Sequence, residues 1–134
     1  METALRALLV AGLPGMSAGR INWGEHPRDE ARPYIVLHLI SLTEGHTMQG
    51  PDGLERSRVQ IDCYAPSFGQ ARELAGSVKS ALDFRRGGGF RGIFFAGMRQ
   101  SRESGYSRDD GGSSGESLYR CSIDFMVNWR DDNA

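Results

Sequence analysis

The 134-residue chain holds only two cysteines, five prolines and three histidines, and each scarcity closes off a class of chemistry. Cys63 and Cys121 fall on apolar faces of strand-like stretches and read as buried free thiols. Nothing in the chain calls for the oxidising compartment that a disulfide requires. His26, His38 and His46 have no i,i+4 partner and no cysteine at zinc-type spacing. His38 alternates with Val36 and Ile40, the position of a satisfied core or interface histidine rather than a ligand or base. No apolar run approaches the roughly 20 residues of a membrane span. The opening METALRALLVAGLPG is too short and too amphipathic for a signal peptide. Neither sign of charge prevails: a net charge of −1 makes no global electrostatic case for nucleic acid or an anionic membrane.

Glycine is what the chain has in excess, with 18 residues, nearly twice the usual share of ~7%. Two glycine clusters match catalytic or cofactor motifs in letters only. Gly87-Gly88-Gly89-Phe90-Arg91-Gly92 fits G-x-G-x-x-G, but that fingerprint must follow a strand and open a helix, where phosphate meets the helix N-terminus. Here it follows a helical stretch and precedes a strand. Gly111 to Gly115 fits G-x-S-x-G, but a nucleophile elbow needs a strand-to-helix turn with a histidine and an acid in reach. The acidic pairs Asp109-Asp110 and Asp131-Asp132 read as solvated charge. Arg85, Arg86, Arg91, Arg99 and Arg102 make a locally basic region without the interleaved aromatics that stack on bases. No catalytic constellation, cofactor site or metal site emerges, so the sequence reads as a non-enzyme.

Hydrophobic residues at 39% and charged residues at 25% are ordinary for a soluble globular protein, and 134 residues suit one domain spanning the chain. Its organising stretch is residues 57–82, SRVQIDCYAPSFGQARELAGSVKSAL. Val59, Ile61 and Cys63 alternate with Arg58, Gln60 and Asp62, the period of two of a strand with one wet face. Pro66 stops the strand, and Ser67 followed by Gln70 reads as a capping box. Ala71, Leu74, Ala75, Val78 and Leu82 then line one helical stripe. Upstream, Leu5, Leu8 and Leu9 predict a short helix over 3–12, with Thr3 as its cap and Gly12 and Pro14 as stop signals. Residues 20–33 form a connector in which Arg20 to Trp23 adds a brief edge strand. Tyr34 to Leu42 is apolar on both faces and reads as an interior strand. Gly92 to Gln100 and Leu118 to Trp129 supply two more strands. The spacing predicts an α+β fold: a mostly antiparallel (mixed) four- to five-stranded sheet with two helices packed on one face.

The face left uncovered is polar. Arg58, Gln60 and Asp62 on one strand repeat as Arg120, Ser122 and Asp124 on another, and the connectivity makes these strands antiparallel. As neighbours they set Arg58 opposite Asp124 and Asp62 opposite Arg120. These six residues are the candidate subunit or partner interface; a solvated face with weak ion pairs is the plainer alternative. Residues 43–55, with Gly45, Gly50, Pro51 and Gly53, and residues 102–117 are expected as long mobile loops. Their candidate partner-binding residues are His46, Met48, Arg102, Tyr106, Arg108, Asp109 and Asp110.

Several markers in order carry a resemblance: a short leucine helix, Arg20-Ile21-Asn22-Trp23, and a strand led by Pro33-Tyr34-Ile35-Val36. R-V-Q-I-D-C-Y-A (58–65) follows, then Ala71-Arg72 in a helix ending at Ala81-Leu82, and finally Y-R-C-S-I-D-F-M-V (119–127). Together they resemble the tail completion, or tail terminator, proteins of long-tailed bacteriophages and gene transfer agents, from about Leu5 to Trp129. The two loops are not part of the pattern. The resemblance implies a structural virion protein of the tail or neck, assembled in a bacterial host's cytoplasm. It implies a homo-hexameric ring at the head-proximal end of the tail tube, which ends polymerisation of the tube protein and docks the head-tail connector or stopper. It implies no cofactor and no membrane, and DNA only in passage through the lumen. The alternatives are another neck protein, a small ligand-binding α+β domain using His38 or the glycine cluster, and a nucleic-acid-binding factor using the arginines of 85–102.

Overall fold

A computed structural model describes residues 1–25, 33–103 and 118–130. It begins with helix α1 (Glu2–Gly12) and a turn of 3-10 helix (Ala18–Arg20), which leads into the short strand β1 (Ile21–Trp23). Strands β2 (Tyr34–Thr47) and β3 (Gly50–Ala65) follow, then helix α2 (Phe68–Leu82), and the last two strands are β4 (Phe90–Glu103) and β5 (Leu118–Arg130). The five strands form one sheet in the order β1-β2-β3-β5-β4. Only β1 and β2 run parallel; the other three pairings are antiparallel. The α+β mixed sheet expected from the sequence is therefore the observed class.

Each helix forms for a local reason and is then oriented by one apolar stripe. Ser67 sits in extended backbone at the N-cap of α2, where its Oγ accepts the Gln70 N–H at 3.2 Å. The second half of the expected box is different: the Ser67 hydroxyl lies 3.2 Å from Gln70 Oε1, within reach to donate. Ala71, Ala75, Val78, Ala81 and Leu82 are buried on the sheet side of α2. The N-cap of helix α1 is Met1, without a side-chain cap, rather than Thr3. It is held to the β1 segment by Arg6, whose Nε donates to Ile21 O and whose Nη2 donates to Ala18 O, both at 2.7 Å. The Trp23 indole N–H closes the same corner on Glu2 O at 3.0 Å.

Leu5 and Leu9 of α1 share one buried cluster with Ala71, Ala75, Val78 and Leu82 of α2. Ile35, Leu37, Val59, Ile61, Cys63, Cys121, Ile123 and Phe125 of the sheet belong to the same cluster. These sheet residues are in cross-strand register, so both helices lie over the same face of the sheet. Full burial of Leu5 and Leu9 contributes on the order of 2 kcal/mol each. Cys63 and Cys121 are free thiols facing one another across β3 and β5 inside this layer. Burial pushes both thiols above their ordinary pKa, with a further increase at Cys63 from Cys121 and Asp62 and a partial offset at Cys121 from Arg72.

Two expectations need correction. Residues 43–55 are not a loop: β2 and β3 continue as a hairpin pairing Glu44 with Glu55, His46 with Pro51 and Thr47 with Gly50. The glycines that marked a loop serve the hairpin instead. Gly50 and Gly53 take φ of 129° and 79°, which a side chain resists, and the pairing register shifts between Glu44 and His46. At the tip Thr47 Oγ1 accepts from Gln49 N–H and donates to Gly50 O, both at 3.1 Å. The second correction concerns β2, which is interior only at its start. Strand β1 pairs with Ile35, Val36 and Leu37, and beyond them β2 has no outer neighbour among the described residues. Leu39, Ile40 and Leu42 are accordingly 39%, 50% and 43% exposed. The expected loop 102–117 lies outside the described residues except that Arg102 and Glu103 belong to β4.

Candidate functional site

The sheet face away from the helices carries the six residues singled out by their repeated pattern, and the structure brings all six together. The β3–β5 register sets Gln60 opposite Asp124, Asp62 opposite Ser122, Arg58 opposite Met126 and Tyr64 opposite Arg120. The expected pairs are thus diagonal rather than directly opposed. A guanidinium is long enough to bridge a diagonal, and both ion pairs form. Arg58 Nη2 donates to Asp124 Oδ2 at 3.0 Å, and Arg120 Nη1 lies 3.9 Å from Asp62 Oδ2.

Two flanking strands add residues that the pattern did not reveal. Arg99 on β4 donates from Nη1 to Asp124 Oδ2 at 3.2 Å and from Nη2 to Gln60 Oε1 at 2.9 Å. His38 on β2 places Nε2 at 3.2 Å from Asp62 Oδ2. Gln60 Nε2 and the Ser122 hydroxyl both donate to Asp62 Oδ1, at 2.9 Å and 2.6 Å. Arg120 Nε continues the chain to Ser101 Oγ at 3.3 Å. His38 shares strand parity with Val36, which was the available signal. Arg99 was visible only as one of five nearby arginines, because its partner lies 25 residues away in the chain.

The burial is unusual for a face with no helix over it. Asp62, Ser122 and Asp124 are 2%, 2% and 4% exposed, while the arginine side chains above them stay half in water. The arginine stems form the cover, keeping their charged ends wet. Asp124 Oδ1 is buried with no hydrogen-bond partner among the described residues. The cluster is flanked on one side by Tyr34 stacked on Tyr64 at 5.0 Å between ring centroids, with Val36 and Leu118 beside them. Beyond its other side stands Met126, 39% exposed. The arrangement holds cations and carboxylates in a fixed pattern on an open surface. Among the described residues no group of three or more His, Cys, Asp or Glu could hold a metal, and no helix is long and apolar enough to cross a membrane.

The other candidates are dispersed. His46 and Met48 lie on the β2–β3 hairpin, Met48 fully exposed at its tip. Arg102, next to the end of β4, holds its guanidinium 5.8 Å from the Tyr119 ring centroid. Tyr106, Arg108, Asp109 and Asp110 lie outside the described residues. The Gly87–Gly92 run spans the turn after α2 and the first residues of β4, where Gly89 packs under the Trp129 ring so closely that a Cβ would overlap it. Gly87 and Gly88 serve the turn, with φ of 129° and 56°, and Gly89 serves packing.

In comparison with known proteins, the family described as tail completion protein gp17 matches residues 3–127, which takes in both helices and all but the end of the last strand. One similar solved structure comes from the virion of a native gene transfer agent particle. It has a TM-score of 0.58 at 17% identity, covering 94% of this chain and 84% of that one. A second solved structure has a TM-score of 0.54 at 12% identity, covering 98% of this chain and 99% of that one. At these identities the likeness is one of fold. No curated protein matches the chain.

Proposed function

The chain belongs to the tail completion protein gp17 family, and from that premise we propose that it closes the head-proximal end of a phage-type tail tube as a homo-hexameric ring. A tail completion protein is a structural component of the virion tail and not an enzyme, and it assembles with other virion components. The finer reading is that the ring stops polymerisation of the tube protein and offers the head-tail connector or stopper its docking surface. The observation that carries this is the family match over residues 3–127. In support stand an open sheet and a rigid Arg/Asp cluster on its uncovered face. A ring is built from heterologous contacts, in which one patch meets a different patch of the next copy. The similar chain from the gene transfer agent comes from a virion particle.

The test is electron microscopy of tubes assembled from cognate tube protein with and without this chain. Tubes of defined length with a ring at one end establish termination. Unchanged tube length with no ring overturns it, and a ring that instead forms on portal-side proteins assigns the chain to another position in the neck. Charge reversal at Arg58 or Asp124 that leaves the assembly intact removes the Arg/Asp face from the interface.

A further inference from the structure

The β2–β3 hairpin ends on a residue that its turn does not call for. The register with β5 reaches Leu54, and β2 and β3 continue together to the pair Thr47 and Gly50. The tip therefore projects roughly 14 Å past Leu54 at ~3.4 Å per residue. Met48 and Gln49 are the two central residues of the turn. Such turns favour asparagine, aspartate or glycine, which accept positive φ. Neither Met48 nor Gln49 takes positive φ, and the Thr47 hydroxyl holds the turn instead through Gln49 N–H and Gly50 O. Met48 stands fully in solvent at this tip. Its side chain is flexible and apolar, suited to filling an irregular pocket.

The stem behind the tip is acidic. Residues 44–55 carry Glu44, Asp52 and Glu55 and neither lysine nor arginine. Asp52 is committed to the hairpin, its Oδ1 accepting Leu54 N–H at 2.9 Å. Glu44 and Glu55 stand directly opposite one another, and like charges so placed repel. An arginine brought between them relieves that repulsion.

A groove of the opposite character lies beside α1. It has a volume of about 500 Å³ and runs between α1 and the glycine turn that leads into β4. Leu8, Phe90 and Trp129 give it apolar walls, the last two packed edge to face at 4.8 Å between ring centroids. Arg85 and Arg86 line it as well. Arg85 is held in place by its Nε, which donates to Ala81 O at 2.9 Å. Residues 85–91 contain three arginines and no acidic residue. A groove of this size falls in the range that encloses a small molecule, and one methionine at a narrow tip fits the same space.

We propose that the Met48 hairpin of one copy docks in the α1 groove of the next, with Met48 against Leu8 and Trp129 and the Glu44–Glu55 pair against Arg85 and Arg86. This rests on the ring reading above and names a contact between its subunits. Charge commits the occupant to a second copy: an apolar tip on an acidic stem matches an apolar groove edged by arginines, and this chain supplies both. Hairpin and groove are different patches, so their union is the heterologous contact from which a ring is built. Burial of the methionine supplies hold, and the charges at the edge select the partner and its direction.

The first test is electron microscopy of rings on cognate tubes. Met48→Asp puts a charge at the tip, and Arg85→Glu with Arg86→Glu reverses the groove. All three positions are exposed, so the fold tolerates the change, and circular dichroism checks it. A loss of rings of about tenfold is expected from either variant. Adding Glu44→Arg and Glu55→Arg to the reversed groove restores complementarity with the signs exchanged and is expected to recover most of the rings. The second test does not depend on loss. Met48→Cys combined with Ala7→Cys, an exposed position in the groove, is treated with a short bismaleimide after ring assembly; the native thiols are buried and stay unreacted. Covalent ladders up to ring size are expected from the double variant and none from either single one. Rings that form normally with both variants, or a double-cysteine ring without a ladder, overturn the docking while leaving the ring itself standing. Lost rings that the charge exchange does not recover also overturn it, since the arginines then meet something other than the hairpin. A wild-type chain that never forms a ring removes the premise and the docking together.

Discussion

Replacing Asp62 with alanine measures whether the uncovered face is a built cluster or a set of surface ion pairs. The carboxylate is 2% exposed and accepts from Ser122 at 2.6 Å and Gln60 at 2.9 Å, with His38 Nε2 at 3.2 Å and Arg120 Nη1 at 3.9 Å. Gln60, His38 and Arg120 can turn to water when it is gone, so their loss is small. Ser122 cannot, because it is equally buried. A hydrogen bond to a charged group contributes about 1.5–3 kcal/mol, and a buried donor left without a partner costs about 1–3 kcal/mol. Taking the bond and the orphaned hydroxyl as overlapping parts of one loss gives about 3 kcal/mol for Asp62→Ala. Urea unfolding of the monomeric chain is the assay, with an unchanged m-value showing that stability alone has moved. Ser122→Ala alone, and then with Asp62→Ala, completes a cycle in which a coupling of about 1–2 kcal/mol is expected. A loss below about 1 kcal/mol with no coupling places Asp62 among ordinary exposed pairs and refutes the argument from burial.

Four other outcomes follow from packing. Gly12→Ala sets a Cβ 2.7 Å from Ala81 Cβ, so α1 and α2 must part; a loss of about 1–2 kcal/mol is expected, recovered largely by Ala81→Gly in the same chain. Ser57 Oγ is fully buried without a partner among the described residues, so Ser57→Ala is expected to be neutral or to raise stability by up to about 1 kcal/mol in urea titration. Ser67→Ala removes the cap of α2 and is expected to cost about 1 kcal/mol, seen as a lower urea midpoint. Cys63 and Cys121 have pKa values raised by burial, so iodoacetamide at neutral pH should label neither in the folded chain and both in urea. Rapid labelling of the native chain refutes that placement.

The sequence by itself determined the local elements and their wet and dry faces. Alternation through Val59, Ile61 and Cys63, the stripe from Ala71 to Leu82, and the Ser67 cap are short-range patterns. A strand has period two and a helix 3.6 whatever they pack against, so these patterns are legible without knowing the fold. The repeated polar series Arg58-Gln60-Asp62 and Arg120-Ser122-Asp124 identified the uncovered face by the same logic, and these six residues do gather there.

Tertiary structure decided what depends on register and on neighbours. Which residue stands opposite Asp124 turns on a two-residue slide that leaves every side chain on its face, so alternation cannot distinguish Arg58 from Gln60. His38 and Arg99 joined the cluster because β2 and β4 flank the central pair, a matter of strand order. The hairpin over 43–55 was misread because glycine and proline mark bulges and tight turns as readily as loops, and only the pairing with the facing strand tells them apart. For the same reason the exposed half of β2 looked interior. Its apolar residues on both faces describe a strand to be covered, and the sequence pattern does not say how far along the strand the neighbour β1 reaches.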